Sequence, residues 1–295
     1  MALPGKEIYR GYDEYGVVSV VEDGHKRYLA FGDNDEQSCW LKHEPLTPQH
    51  EYVRAMLLVL LFKDPKQSIS LGLGAGSLNS CLHGHYPSLK QQVVELRPEV
   101  VKAAYKYFQL PRGKRLEVHT MDANEYLQSV DSKKADILFS DIYGADGLDE
   151  QQLDPSFLMN CHDRLKEDGW LVLNCWREHQ GNDSLQTLIE IFDDVRSCAT
   201  QSGNWIVYSY GKETFDFTNP VVGPVTLDKI FKRVDFPAPF LPIIPNTSPL
   251  FTSKLIFFKA QTYSDVAFLL LSLDSPIFKK GSSLPLIFAK KRLKS

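Results

Sequence analysis

The stretch that most constrains the fold is residues 68–95, where two short apolar runs flank a glycine cluster and a helical segment. The first run leads directly into Gly72, Gly74 and Gly76, and the second run ends on Glu95. Glycine permits a sharp backbone turn and lets a ligand approach main-chain N–H groups that a Cβ would block. An acid at the carboxyl end of the second strand accepts both hydroxyls of a ribose. The pattern predicts the opening of an α/β domain that binds a nucleotide or nucleoside.

Apolar runs and helical stripes alternate through residues 47–212. Further strands are predicted at residues 115–119, 135–139, 170–174 and 205–208, and helices from residue 47 or 48, from 97, and over 125–130, 155–166 and 184–197. This alternation predicts a mostly parallel, Rossmann-like α/β sheet that is covered on both faces. Right-handed crossovers bring the carboxyl ends of such strands to one edge, where ligands bind.

Two flanking regions differ from this middle part. Residues 1–46 contain two β-like runs around Asp23-Gly24, a hairpin signal, and are predicted to form a small β-ribbon. Residues 213–295 are predicted to be an irregular extension, because residues 236–295 hold seven of the 17 prolines and show no clean period. A docking segment, a poorly ordered tail and a frame change in the coding sequence are three open interpretations of this extension.

Charge is divided unevenly along the chain. The formal net charge is −4, and residues 236–295 carry eight Lys or Arg and two acids, so the first 235 residues carry −10. The negative charge of the first 235 residues argues against nucleic-acid binding. It is compatible either with a cationic substrate or with an acidic surface that is simply solvated. The five cysteines are scattered without metal-like spacing, and no signal peptide or bilayer-length apolar run is evident. We therefore expect a cytoplasmic protein with reduced thiols, no metal and no membrane segment.

Three acids stand at or directly after the ends of predicted strands: Glu95, Asp122 and Asp141. Helix N-capping is the ordinary explanation for any one of them, and Asp122 is well placed to cap the helix that follows. In a parallel sheet, however, all three share one edge with the glycine turn. We expect them to surround a ligand that carries a ribose, an adenine and a reactive centre.

Residues 17 to about 210 resemble the spermidine synthases, or polyamine aminopropyltransferases, whose fold is the class I AdoMet-methyltransferase type behind an N-terminal β-domain. The matching segments are the ribbon end near Gln37-Ser38, His50-Glu51-Tyr52, Gly72-Leu73-Gly74-Ala75-Gly76-Ser77, Glu95, Asp122-Ala123 and Asp141-Ile142-Tyr143-Gly144. The order and spacing of these segments carry the resemblance, since each motif by itself is common.

The resemblance implies a role for each matching residue. The residues that it implies for nucleoside binding are Gly72, Gly74, Gly76, Glu95, Asp122 and Ala123. Glu95 is implied to hold the ribose hydroxyls, and Asp122 with Ala123 to hold the adenine. Asp141 is implied as the catalytic acid, which also binds substrate, and His50 as a neighbour of the amine. The co-substrate is implied to be decarboxylated S-adenosylmethionine or S-adenosylmethionine, without a metal, and the partners a small-molecule amine and a second copy in a homodimer.

The sequence departs from the family pattern on the amine side. The acid of the family's glycine run is replaced by Ala75, and the second acid of its Asp-x-x-Asp motif by Gly144, with Asp146 displaced by two positions. A glutamine of the family's first strand region has no evident match, and Gly16 stands near its place. Each lost charged hydrogen bond weakens diamine binding by roughly 1.5–3 kcal/mol. The nucleoside half of the site is intact and the diamine half is depleted.

Two alternatives to aminopropyl transfer therefore stay open. An AdoMet-dependent methyltransferase shares the glycine turn, Glu95 and Asp122, and Ala75 leaves room for the AdoMet carboxylate. A catalytically silent homologue that binds a nucleoside or a protein fits a depleted site. A nicotinamide-dependent oxidoreductase is less favoured, because Gly72-x-Gly74-x-Gly76 lacks the G-x-G-x-x-G spacing.

Overall fold

The computed structural model describes residues 3–32, 35–129, 133–144 and 147–211, together with the backbone of residues 253–257 and 268–272. The strands are β1 (Lys6–Asp13), β2 (Gly16–Asp23), β3 (Lys26–Phe31), β4 (Asp35–Leu41), β5 (Gln67–Leu71), β6 (Lys90–Glu95), β7 (Leu116–Thr120), β8 (Ala135–Ser140), β9 (Tyr143–Gly144), β10 (Gly147–Leu148), β11 (Leu165–Trp176), β12 (Asp194–Ala199), β13 (Asn204–Tyr210), β14 (Ser253–Phe257) and β15 (Phe268–Ser272). The helices are α1 (Glu51–Met56), α2 (Ser77–His85), α3 (Pro98–Tyr107), α4 (Ala123–Gln128), α5 (Pro155–Asp163) and α6 (Asn182–Ile191), with 3₁₀ turns at Leu57–Leu61, Glu150–Leu153 and Arg177–His179.

A seven-stranded sheet forms the centre of the described molecule, in the order β12-β13-β11-β8-β5-β6-β7. The strands β11, β8, β5, β6 and β7 run parallel, whereas β13 and β12 are antiparallel to their neighbours. The apolar runs predicted as strands are buried here because helices cover both faces of the sheet. The predicted Rossmann-like class, of the AdoMet-methyltransferase type, is confirmed. The chain order reverses between β5 and β8, the place where sheets of this kind bind ligands.

The N-terminal region forms a four-stranded antiparallel sheet, β1-β2-β3-β4, which is larger than the predicted ribbon. It packs on α3 and the glycine turn through a shared hydrophobic cluster that includes Val18, Trp40 and Ala75. A buried ion pair joins Arg97, just before α3, to Asp13 in β1, with 2.8 Å between Nη2 and Oδ1. The guanidinium also donates to the carbonyl of Gly16, so the ion pair is hydrogen-bonded as a buried pair must be.

Several predicted helix boundaries are wrong. The helix predicted from residue 47 or 48 begins at Glu51, and the one predicted over 155–166 ends at Asp163. The largest error concerns residues 184–197, where α6 ends at Ile191 and residues 194–199 form the edge strand β12. The helix predicted over 125–130 starts earlier, at Ala123, and is described as far as Gln128.

The predicted extension is described only in part. β14 and β15 pair antiparallel, and the other residues from 212 onward lie outside the described part of the chain, as does Asp146. Among the described helices, none is long and apolar enough to cross a bilayer. The five cysteines are buried free thiols.

Candidate active site

The glycine turn lies directly against the loop that follows β8. Gly72 has φ +91°, and a Cβ at this position would stand 2.1 Å from the carbonyl oxygen of Asp141. Its N–H donates to the carbonyl of Val94, at 2.8 Å, and so ties the turn to β6 as well. Because any side chain would push these loops apart, glycine is required at position 72.

Strand β4 closes the turn from the N-terminal side. The hydroxyl of Ser38 accepts a hydrogen bond from the N–H of Ala75 at 3.1 Å. A Cβ on Gly74, which has φ +55°, would lie 2.8 Å from the same hydroxyl. Gly76, with φ +77°, precedes the first residue of α2, so three positive φ angles compress the turn. Main-chain N–H groups at the start of α2 thus lie beside the ligand edge of the sheet.

Glu95 is a buried carboxylate at the end of β6, and main-chain groups hold both of its oxygens. Oε2 accepts from the N–H of Leu73 at 3.0 Å, and Oε1 accepts from the N–H of Arg97 at 2.9 Å. Burial raises the pKa of this carboxyl, and the hydrogen bonds from the main chain oppose that effect. The acid therefore fixes the glycine turn against the loop after β6, at the place predicted for ribose binding.

Asp122 is the N-cap of α4, as one of its two sequence interpretations requires. Its Oδ1 accepts from the N–H groups of Asn124 at 2.8 Å and Glu125 at 3.1 Å. Both bonds use the same oxygen. The main chain also joins the ends of β6 and β7, since the N–H of Met121 donates to the carbonyl of Glu95. Capping and ligand binding are compatible here, because Oδ2 takes no part in the cap.

Asp141 is held by side chains rather than by the main chain. Asn174, near the end of β11, donates from Nδ2 to Oδ1 of Asp141 at 2.8 Å, and the Tyr52 hydroxyl also bonds to this carboxylate. Burial raises the pKa of Asp141 to about 6, although both hydrogen bonds act in the opposite direction. A carboxyl with a pKa near 6 is mostly ionised at neutral pH and more basic than an ordinary one.

A buried glutamine positions the loop that carries Asp141. Gln152 accepts from the Ser140 hydroxyl and donates from Nε2 to the carbonyl of Ile142, at 3.0 Å. The adjacent Gln151 accepts from the side chain of Asn124 at 2.6 Å, directly beyond the cap of α4. These two neighbours connect the loop after β8 with the loop after β7, so the predicted adenine and reactive positions are structurally linked.

His50 stands just before α1, and its ring stacks on Tyr52 with centroids 5.5 Å apart. Burial lowers the pKa of His50 to about 4, and the charge of Arg54 acts in the same direction. The imidazole is therefore neutral near pH 7. Nε2 lies 3.6 Å from Oε1 of Glu36, and it has no hydrogen-bond partner among the described residues.

The structure brings the residues singled out in the sequence to one edge of the sheet, in two groups. The glycine turn lies between them: Glu95, with Asp122 and Ala123 beyond it, lies on one side, and Asp141, which Tyr52 links to His50, lies on the other. The sequence pointed to Tyr52 only as part of the segment His50-Glu51-Tyr52, without a role, and to Asn174 only as a strand residue. The signal for Asn174 was its position near the end of a buried strand, the rule already applied to the three acids.

Within the described residues there is no group of three or more His, Cys, Asp or Glu side chains arranged to hold a metal ion. The acids of the site instead bond to N–H and O–H donors. Polar, partly desolvated groups of this kind suit an organic ligand.

Comparison with known proteins shows the family of this domain. Residues 49–213 match the family model described as the spermine/spermidine synthase domain. A polyamine aminopropyltransferase from Neisseria meningitidis is 26% identical over 231 residues, which are 76% of this chain and 83% of the relative.

Two solved structures share the fold. A probable spermidine synthase from Corynebacterium glutamicum aligns with a TM-score of 0.61 and 21% identity, over 72% of this chain and 82% of its own. A spermidine synthase in complex with the transition-state analogue AdoDATO aligns with a TM-score of 0.57 and 20% identity, over 70% and 74%. Since the matched domain spans more than half of the sequence, the chain belongs to the spermine/spermidine synthase family.

Proposed function

We propose that this protein transfers an aminopropyl group from decarboxylated S-adenosylmethionine to a polyamine-type amine. The observation that carries the proposal is Asp141, whose main chain lies against the glycine turn and whose carboxylate, of raised pKa, is oriented by Tyr52 and Asn174. Membership of the family supports the reaction class, and its relatives named polyamine aminopropyltransferases support the type of substrate.

The chemistry needs a base beside the amine. An amine nitrogen attacks the aminopropyl carbon next to the sulfonium, the carbon–sulfur bond breaks, and methylthioadenosine leaves with the electron pair. Most of the amine is protonated near pH 7, because its pKa is close to that of lysine, about 10.4. Asp141 takes the proton that the nitrogen must lose, and positioned general bases contribute about 10²–10⁴-fold to such steps.

The nucleoside end of the co-substrate belongs, in this proposal, to the main-chain-bonded acids. Glu95 accepts the ribose hydroxyls, and Asp122 with Ala123 binds the adenine amino group and ring. Gly72, Gly74 and Gly76 line the turn beside them, and their lack of side chains lets the co-substrate approach the main chain. Support comes from the position of these residues after β5, β6 and β7, at the edge of the sheet where open α/β sheets bind nucleotides beside the reversal between β5 and β8.

The test is a transfer assay with two labelled donors. Purified protein receives decarboxylated S-adenosylmethionine labelled in the aminopropyl group, or S-adenosylmethionine labelled in the methyl group, each with putrescine as acceptor. We expect labelled polyamine and methylthioadenosine with the first donor only. Label transfer from the methyl donor, or from neither donor, would refute the proposal in favour of a methyltransferase or a silent homologue respectively.

A further inference from the structure

Glu36 approaches the candidate active site from the N-terminal sheet, and the mechanism above does not use it. It lies on β4, with Oε1 at 3.6 Å from Nε2 of His50. In its pairing with β3, β4 carries one extra residue, Gln37, between Ser38 and Glu36. Bulges of this kind re-aim side chains beside functional sites. Ser38 consequently contacts the glycine turn, while Glu36 turns to the opposite face of the sheet and meets His50.

Glu36 is an exposed residue, with 34% of its side chain accessible to solvent, so its carboxylate is open to a ligand. His50, its nearest basic neighbour, is neutral near pH 7 because burial lowers its pKa to about 4. Lys26 lowers the pKa of Glu36 electrostatically, yet burial dominates and raises it. In the described part of the chain, no lysine or arginine forms an ion pair with this carboxylate. A cation bound beside it would pair with this carboxylate in place of water.

A continuous line of contacts leads from Glu36 to the reactive acid. The ring of His50 stacks on Tyr52 with an interplanar angle of 23°, and the Tyr52 hydroxyl bonds to Asp141. Two carboxylates thus stand at the two ends of a pair of stacked rings. Between them lies the buried Nε2 of His50, which lacks a hydrogen-bond partner among the described residues.

We propose that Glu36, with His50, binds the second cationic group of the amine, which makes Glu36 a specificity-determining residue for substrates with two positive charges. The inference rests on the proposed function, which puts the reacting nitrogen at Asp141. The carboxylate pairs with the far ammonium, and Nε2 of the neutral imidazole accepts one of its hydrogens. The faces of both rings suit the methylenes and the ammonium. Ala75 and Gly144 carry no charge that would compete for this role.

The experiment compares diamines of three to six carbons with the matching monoamines in the aminopropyl transfer assay. In wild-type protein we expect each diamine to be preferred over the monoamine of equal length. Glu36→Gln should raise KM for the diamines about tenfold or more, the range of a lost charge-assisted hydrogen bond. It should leave kcat and the kinetics of the monoamines within about twofold, because the reacting end of the substrate is unchanged.

Two further variants make the result specific. Glu44→Gln, an exposed acid in the loop after β4, removes the same charge and should leave KM unaltered. Glu36→Asp keeps the charge on a shorter side chain and should retain the preference for diamines, shifted towards a longer one. Unchanged diamine KM in Glu36→Gln, or an equal rise for monoamines, would overturn this inference alone. A wild-type protein that aminopropylates none of these amines would instead overturn the proposed function, and the inference with it.

Discussion

The two sides of the candidate site hold their acids in different ways. On the nucleoside side, Glu95 and Asp122 accept hydrogen bonds from main-chain N–H groups of their own or adjacent loops. On the amine side, Asp141 is held by the side chains of Asn174 and Tyr52. Glu95 and Asp122 therefore stabilise the loops to which they belong, whereas the loop that carries Asp141 is stabilised by Gln152.

This difference separates the acids that stabilise the loops from the acid that is available for the chemical step. Glu95 accepts from main-chain N–H groups with both of its oxygens, so neutralising it leaves one buried N–H group without an acceptor and affects folding and binding together. Burial raises the pKa of both Glu95 and Asp141, but Asp141 is held by side chains and can take up a proton without unpairing the main chain. Neutral replacements of Glu95 and Asp141 should therefore give opposite changes in stability.

The largest effect is expected for Asp141→Asn. Loss of the base should reduce kcat by about 10²–10⁴-fold, while calorimetry with methylthioadenosine should show unchanged affinity. The same variant should be more stable than wild type at pH 8. The pKa of Asp141 is about 6 in the folded protein, against an ordinary value of 3.8, so its ionised form is disfavoured there. Each tenfold change in proton affinity is about 1.4 kcal/mol, which makes the gain on the order of 1–3 kcal/mol.

The pH dependence of that gain provides its control. Stability due to the protonated carboxyl is fully present below the ordinary pKa and is lost as pH rises through the folded value near 6. Urea denaturation at pH 5 and pH 8 should therefore show a smaller advantage of Asp141→Asn at the lower pH. An equal advantage at both values would show that the carboxyl is not desolvated.

Glu95→Gln should have the next largest effect and the opposite sign for stability. A glutamine side chain has one acceptor oxygen, so its NH₂ group must face the N–H of either Leu73 or Arg97. We expect a loss of about 1–3 kcal/mol in the free energy of unfolding and a weaker affinity for methylthioadenosine, by about tenfold or more. Glu178→Gln, an exposed acid, serves as the matched control. Wild-type stability in Glu95→Gln would remove the distinction between the two sides.

The sequence was sufficient for the parts of this molecule that depend on local pattern. Alternating strands and helices predicted the parallel sheet, and the rule that ligands bind at strand ends identified Glu95, Asp122 and Asp141. The capping role of Asp122 was also visible, because an aspartate before a helix has few alternatives. The ligand roles of these residues stay predictions, which the experiments proposed above address.

The rest depends on pairing and contacts that the local pattern does not encode. The edge strand β12 differs from the predicted helix, because its residues lack a clear alternation and its strand form depends on pairing with β13 across the loop at residues 200–203. Glu36 was not predicted as a site residue, because a single bulge in β4, opposite β3, determines on which face of the N-terminal sheet its side chain lies. Tyr52 had no predicted role of its own, and only the fold shows that its hydroxyl reaches Asp141.

Asn174→Ala tests the side-chain support of Asp141 more gently. Removal of the Nδ2 donor should raise the pKa of Asp141 further, by about half a pH unit or more. Because the ionised carboxylate is the base, the fall of kcat at low pH should then begin at a higher pH than in wild type. Asn204→Ala, which removes a neighbour that bonds to Asn174 but not to Asp141, is the control. A pH profile identical to wild type would mean that this hydrogen bond does not tune the acid.

The smallest effect, and the finest test of the nucleoside side, comes from paired substitutions at Asp122. Asparagine caps helices about as well as aspartate, so Asp122→Asn should melt like wild type, whereas Asp122→Ala should lose about 0.5–2 kcal/mol. If the second carboxylate oxygen accepts from the adenine amino group, both variants should bind methylthioadenosine several-fold more weakly. In Asp122→Asn the single side-chain oxygen continues to accept from the main-chain N–H groups of the cap. The NH₂ group then faces the adenine amino group, which is also a donor, so that hydrogen bond is lost. Full affinity in Asp122→Asn would reduce Asp122 to a helix cap and leave Glu95 as the sole acid in contact with the nucleoside.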